Sequence, residues 1–184
     1  MDKDFVKFPK LYRLKGPVIV TEKIDGTNAC VVIDEQANIA AQSRTRFITP
    51  EKDNFGFARW VQDNSDELLD ILGPGYHYGE WWGNGIQRNY GLKNKQFSPF
   101  NTSREYNTDL FRAVPVLYAG VWDTNMFDDL LTELKQYGSV AAYGFMNPEG
   151  IVIYDTQSGV GYKKTFDYDD TGKGGTRDED GNVI

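Results

Sequence analysis

Thr21-Glu22-Lys23-Ile24-Asp25-Gly26-Thr27-Asn28 lies between two runs of β-branched and apolar residues, Pro17-Val18-Ile19-Val20 before it and Ala29-Cys30-Val31-Val32-Ile33 after it. Runs of this composition read as strands, and Asp-Gly between them reads as a turn. The stretch therefore predicts antiparallel strands joined by a short turn, with Lys23 closing the first. One amine then stands at the mouth of a sheet with backbone amides and a carboxylate close by. Two readings of that lysine are open: a hairpin with a solvated side chain, or a nucleophile presented at a strand end. An isolated Lys-x-Asp-Gly favours the first, so the rest of the chain has to decide.

Outward from this stretch, Ile39-Ala40-Ala41-Gln42-Ser43 continues the strand pattern. Residues Glu51 to Gly73 carry Phe55, Ala58, Trp60, Val61, Leu68, Leu69, Ile71 and Leu72 at helical spacing and stop at Gly73-Pro74-Gly75, which predicts one helix. Tyr76 to Trp82 reads as a strand, Gly83-Asn84-Gly85 as a turn, and the polar stretch Asn94 to Asp109, with Pro99, as a surface loop. A strand over Val114–Trp122, a short amphipathic helix over Met126–Tyr137, and strands over Gly150–Asp155 and Val160–Phe166 complete the order. Strands dominate and no regular βαβ alternation appears, so the fold class is α+β, antiparallel sheets with flanking helices. The organisation expected is one domain over 1–166 and an acidic, Gly-rich tail over 167–184 with almost nothing apolar to bury.

Composition narrows the function. A chain of 184 residues can hold a core without disulfides or structural metal, and the single Cys30 leaves neither an intrachain bridge nor a Cys-based zinc site. The net charge of -7 argues against a protein that coats nucleic acid by bulk electrostatics. Much of the net negative charge lies between Asp167 and Asp180, where six acidic side chains face two basic ones, so a local basic groove elsewhere is still allowed. The charged N-terminus and the absence of any long apolar run predict a soluble, cytoplasmic protein with no membrane partner.

Two phosphate-loop templates fail. Gly83-Asn84-Gly85-Ile86-Gln87-Arg88 has Arg88 where the dinucleotide fingerprint needs its third glycine, and no Gly-Lys-Ser/Thr completes a Walker pattern. His77, the single histidine, supports neither a Ser-His-Asp triad nor a His-rich metal site and reads as structural.

The Lys23 stretch resembles motif I of the covalent nucleotidyltransferase superfamily of DNA ligases, RNA ligases and mRNA capping enzymes. Further motifs follow in the family's order: Ser43-Arg44-Thr45 resembles motif Ia, Tyr78-Gly79-Glu80-Trp81-Trp82-Gly83-Asn84-Gly85-Ile86-Gln87 motif III in its RNA-ligase form, Tyr118-Ala119-Gly120-Val121-Trp122-Asp123 motif IIIa, Glu149-Gly150-Ile151-Val152 motif IV, and Tyr162-Lys163-Lys164 motif V. Ordered matches over residues 21 to 164 are far harder to obtain by chance than any one of them. The Glu80–Gln87 stretch is the most specific and is similar to nick-sealing RNA ligases.

The resemblance implies a ligase-like nucleotidyltransferase fold and an ATP-dependent RNA ligase with Mg²⁺ or Mn²⁺. Lys23 would take AMP as a lysyl phosphoramidate and pass it to a 5′-phosphate, and a 3′-hydroxyl would displace it. Lys163 and Lys164 would neutralise the α-phosphate, and their adjacency, where the family pattern separates them by one residue, leaves open which of them faces it. Glu149 would serve the metal, with Asp25 beside it. Glu80 would hold the ribose hydroxyls and Arg44 the ribose or phosphate, while Glu22 and Asn28 would read base and phosphates. Trp122, or else Tyr118, would stack on adenine. Trp81 and Trp82 cannot both face a ligand, because adjacent strand residues point opposite ways. The partners implied are ATP and RNA ends or a nicked duplex, and the state a monomer. Two alternatives stay open: a stand-alone nucleotidyltransferase with a capping-like acceptor, and a nucleotide- or RNA-end-binding module without turnover. A lysine at its free pKa of about 10.4 is a poor nucleophile at neutral pH, so nearby cations and partial burial would have to favour the neutral amine.

Overall fold

The structure, a computed structural model, describes residues 7, 8, 11 and 15–167. Of the expected tail, only Asp167 lies within the described residues. The class is α+β as expected: nine strands in two antiparallel sheets, with three helices among the described residues.

Strand β1 (Pro17–Lys23) does not pair with β2 (Thr27–Ile33). β1 lies between β7 (Val116–Val121) and β8 (Gly150–Asp155), with β9 (Val160–Thr165) outside β8. β2 lies between β3 (Ile39–Ser43) and β5 (Gly75–Gly83), with β4 (Phe47–Ile48) and β6 (Lys95–Pro99) at the edges. The expected hairpin is therefore corrected: Ile24-Asp25-Gly26 is a crossover from one sheet to the other. Gly26 is needed there for close approach rather than for a turn. A Cβ on it would stand 2.5 Å from the Trp81 carbonyl oxygen and 2.7 Å from Trp82 Cβ, so only glycine lets the crossover pass over β5.

Alternation along β1 sends Val18, Val20 and Glu22 to one face and Ile19, Thr21 and Lys23 to the other. The first face packs with Ile151 and Ile153 against Phe127, Leu130 and Leu134 of α3 (Thr124–Tyr137), whose N-terminus is capped by Asp123 accepting from the Asn125 amide. The second sheet buries Val31, Trp81 and Phe97 under α1 (Phe57–Asp63) and α2 (Ser65–Leu72). A third, smaller cluster of Ile24, Trp82, Tyr90, Val114 and Ala142 fills the junction between the sheets.

Three boundaries differ from expectation. The single helix over 51–73 is two helices: Asp53 accepts from the Asn54, Ala58 and Arg59 amides and delays the start, and Asn64, with φ −117° and ψ 20°, breaks the run. The expected loop at 94–109 begins with β6, where Pro99 is tolerated because β6 is an edge strand. The two-residue strand β4 carries too short a pattern to be read. No helix among the described residues is long and apolar enough to cross a membrane.

Candidate active site

The free faces of the two sheets enclose a cleft of about 1040 Å³. Thr21 and Lys23 of β1, Tyr154 of β8 and Lys163 of β9 line one wall; Asn28 of β2 and Tyr78 and Glu80 of β5 line the other. Lys23, the last residue of β1, pairs with Gly150 on β8, which brings it beside Glu149. Lys23 Nζ donates to Glu149 Oε2 at 2.7 Å, and the Glu149 side chain is almost wholly buried. Glu80 Oε1 accepts from the Gly26 amide at 3.0 Å. Burial pushes the Glu80 carboxyl up to about 7 against the pull of the Lys23 charge and the Gly26 amide, and the charges of Glu149 and Asp25 add to the rise. The two walls thus converge on one amine.

Strand register separates the two motif V lysines. Lys163 pairs with Val152, which pairs with Thr21, so Lys163 shares the cleft face with Lys23. Lys164 pairs with Ile151, whose side chain is buried on the α3 face, and its ammonium bonds Asp128 of α3.

Glu22 is almost wholly buried and borders the cleft from beneath the strand end that carries Lys23. Its carboxylate accepts from Ser139 Oγ at 2.6 Å and from the Val140 and Ala141 amides at 2.8 and 2.9 Å, pinning the segment after α3. Burial raises its pKa and these three bonds oppose the rise. A carboxylate so engaged anchors the segment after α3 at the edge of the cleft. Tyr118 and Trp122, expected to stack on adenine, do not line the cleft: both pack with the α3 core, Tyr118 Oη donates to the Val121 carbonyl, and Trp122 lies edge-on to Phe127 and Tyr162. The aromatic rings that do line the cleft include Phe100, just beyond β6, with Tyr78 and Tyr154, all about half exposed. Arg44 follows Ser43 in an exposed turn and is not part of the cleft wall. Asn28 is, directly opposite Glu80 in register. Trp81 and Trp82 are both buried, one in each of two core clusters, and His77 bonds the Gly73 carbonyl.

Arg88 belongs to the site although its sequence signal was spent on failing a dinucleotide template. Its Nε donates to Asp25 Oδ2 at 3.0 Å, while Tyr90 Oη accepts from the Asp25 amide at 2.8 Å. A basic residue just past the motif III turn was the available cue.

The donors around Lys23 are carboxylate oxygens, and no group of three or more His, Cys, Asp or Glu among the described residues forms a metal cage. That set fits a hard divalent ion that takes most of its shell from phosphate and water. Glu149 suits the role directly; Asp25 shares its carboxylate with Arg88.

Two facing antiparallel sheets with a lysine, a buried and a half-buried carboxylate and a second lysine at their junction define the ligase-like nucleotidyltransferase fold. The chain belongs to the RNA ligase family, whose sequence model matches residues 16–169. Among solved structures it is similar to a variant of the Naegleria gruberi RNA ligase with ATP and Mn, at TM-score 0.60 and 19% identity over 83% of this chain and 50% of that one. Another variant of that ligase, with AMP and Mn, matches at TM-score 0.57 and 20% identity over 82% and 49%. An archaeal ATP-dependent RNA ligase matches at TM-score 0.58 and 18% identity over 86% and 48%. The chain therefore spans about half the length of these structures, and at such identities the likeness is one of fold. No curated protein matches the sequence.

Proposed function

We propose that this chain carries the adenylyl-transfer chemistry of an ATP-dependent RNA ligase, with Lys23 as the nucleophile. The observation that carries the reading is the Lys23 amine at the junction of the two sheets, bonded to buried Glu149 and flanked by Glu80 and Lys163. Lys23 Nζ attacks the α-phosphorus of ATP; the P–N bond forms, the bond from the α-phosphorus to the bridging oxygen breaks, and pyrophosphate leaves. The proton that Nζ sheds has Glu149 Oε2 as a hydrogen-bonded acceptor. Lys163, on the same face, balances negative charge on the phosphate, where a fixed cation counts most in the transition state. Glu80 and Asn28 face the nucleotide from the opposite wall, and Phe100, Tyr78 and Tyr154 offer the base its stacking surface. Mg²⁺ or Mn²⁺, held by Glu149 with Asp25 and the phosphates, would neutralise charge on the triphosphate. The AMP then passes to a 5′-phosphate, and a 3′-hydroxyl displaces it to form the phosphodiester. RNA ends or a nicked duplex are the substrates that this reading gives the chain. The solved relatives with ATP, AMP and Mn support the cofactor assignment.

The test is intact-protein mass spectrometry after incubation with ATP and Mg²⁺ or Mn²⁺, repeated with GTP and with Lys23→Ala. An AMP adduct absent from the variant supports the reading. A GMP adduct would move it to capping chemistry, and no adduct would favour a binding module without turnover.

A further inference from the structure

The crossover Ile24–Gly26 has no ladder to hold it, because β1 and β2 belong to different sheets. Its backbone is fixed from one side: the Gly26 amide by Glu80, the Asp25 amide by Tyr90, and the Asp25 carboxylate by Arg88. The loop that presents Tyr90 and Arg88 is itself strained. Gln87, Asn89 and Tyr90 all adopt positive φ, of 45°, 62° and 52°, a conformation that costs an L-residue roughly 1–2 kcal/mol. Such strain persists where surrounding contacts over-determine it. Here they do: the Asn89 amide donates to the Ile86 carbonyl, the Gly85 amide to the Asn89 side chain, and the Tyr90 ring packs on Trp82 and Phe145 at centroid distances of 4.9 and 4.5 Å.

The guanidinium of Arg88 reaches further than Asp25. Its Nη2 donates to Asp167 Oδ2 at 2.7 Å, and its Nη1 to the Asn147 carbonyl at 3.4 Å. Each partner stands a short step from a residue of the reaction: Asp25 just past Lys23, Asn147 just before Glu149, and Asp167 just past Lys163. The arginine side chain is mostly buried, as is that of Asp25, while Asp167 is more than half exposed. A planar fork with several donors can hold three acceptors at once; a lysine ammonium at this site cannot match that span.

We propose that Arg88 is a positioning residue: it ties the motif I crossover, the approach to Glu149 and the exit from β9 into one geometry, and so holds Lys23, Glu149 and Lys163 in mutual register. This deepens the adenylyl-transfer reading and rests on it. Misplacement of reacting groups by about 1 Å can cost on the order of 100-fold in rate. Arg88→Ala should therefore slow Lys23 adenylylation at saturating ATP by about 10- to 100-fold, with little change in the ATP concentration for half-saturation. Arg88→Lys should recover only part of the rate. Asp167→Asn, which removes the exposed arm of the fork, should slow it about two- to threefold.

The experiment pairs single-turnover adduct formation, read by intact mass, with amide hydrogen exchange over residues 24–26 and 145–149 in wild type and the three variants. Faster exchange in both segments together with the ranked rate losses is the expected result. Unchanged exchange in Arg88→Ala, or a rate within twofold of wild type, overturns the proposal. If Arg88→Ala does not fold, Arg88→Lys and Asp167→Asn decide by the same two readouts. If wild type itself forms no adduct, the functional reading fails, while the exchange data still decide whether Arg88 clamps these segments.

Discussion

The two faces of the sheet built from β7, β1, β8 and β9 carry matched residues at neighbouring positions and put them to opposite uses. Glu22 and Lys23 are adjacent on β1, and Lys163 and Lys164 are adjacent on β9. On the α3 face, Glu22 is closed in by Ser139, Val140 and Ala141, Lys164 by Asp128, and Trp122 by Phe127 and Tyr162. On the cleft face, Lys23, Lys163 and Tyr154 stand in a cavity large enough for a nucleotide. Both faces carry charged and aromatic side chains; what differs most is access. A strand with period two can thus serve structure and chemistry with consecutive residues.

The largest test of this contrast is Lys23→Ala, which should abolish the AMP adduct in an intact-mass assay, since it removes the amine bonded to Glu149. Next is the lysine pair. Removing the Lys163 charge should slow adduct formation on the order of 100-fold, as loss of one stabilising group commonly does, whereas Lys164→Ala should stay within about threefold because its ammonium is turned to Asp128 on the α3 face rather than to the cleft. Equal losses at the two positions would erase the distinction between the faces.

Glu22→Ala should lower unfolding stability by about 2–4 kcal/mol, because the buried Ser139 hydroxyl and two part-buried amides lose their acceptor. Glu22→Gln should cost less, and denaturant melts of both variants check the order. A smaller contrast separates the aromatic rings. Phe100→Ala should weaken ATP binding by about 1–3 kcal/mol in titration calorimetry, while Trp122→Ala should lower the melting temperature and leave ATP affinity within a few-fold.

The smallest effect is pH-dependent and belongs to Glu80. Its folded pKa of about 7 lies above the ordinary value of 4.5, so the folded state binds the proton more tightly. The contribution is fully favourable below pH 4.5 and fades as the pH rises through 7. Relative to wild type, Glu80→Gln should therefore gain about 1–3 kcal/mol of stability between pH 5 and pH 8, measured by thermal melts at the two values. A constant difference would mean that Glu80 is ionised throughout.

The sequence determined a good deal alone. The alternating Val18, Val20 and Ile151, Ile153 pairs dictate half-buried strands, the ordered motifs mark Lys23, Glu80, Glu149 and the Lys163–Lys164 pair as one set, and the spacing of Phe127, Leu130 and Leu134 dictates α3. These are local patterns, and periodicity expresses them directly. What only the tertiary structure decided is which side of each strand meets the cleft. Asp25-Gly26 looks like a hairpin turn until β1 and β2 are found in different sheets. Trp122 looks like a stacking ring until its face is covered by α3, and Phe100 gains the cleft only because β6 pairs with β5. Arg88 shows in the sequence only as a basic residue past the motif III turn, since its three partners are brought to it by crossings that no local spacing encodes. Chemistry could be read from the residue types; access could not, because burial is set by long-range pairing and packing rather than by neighbours along the chain.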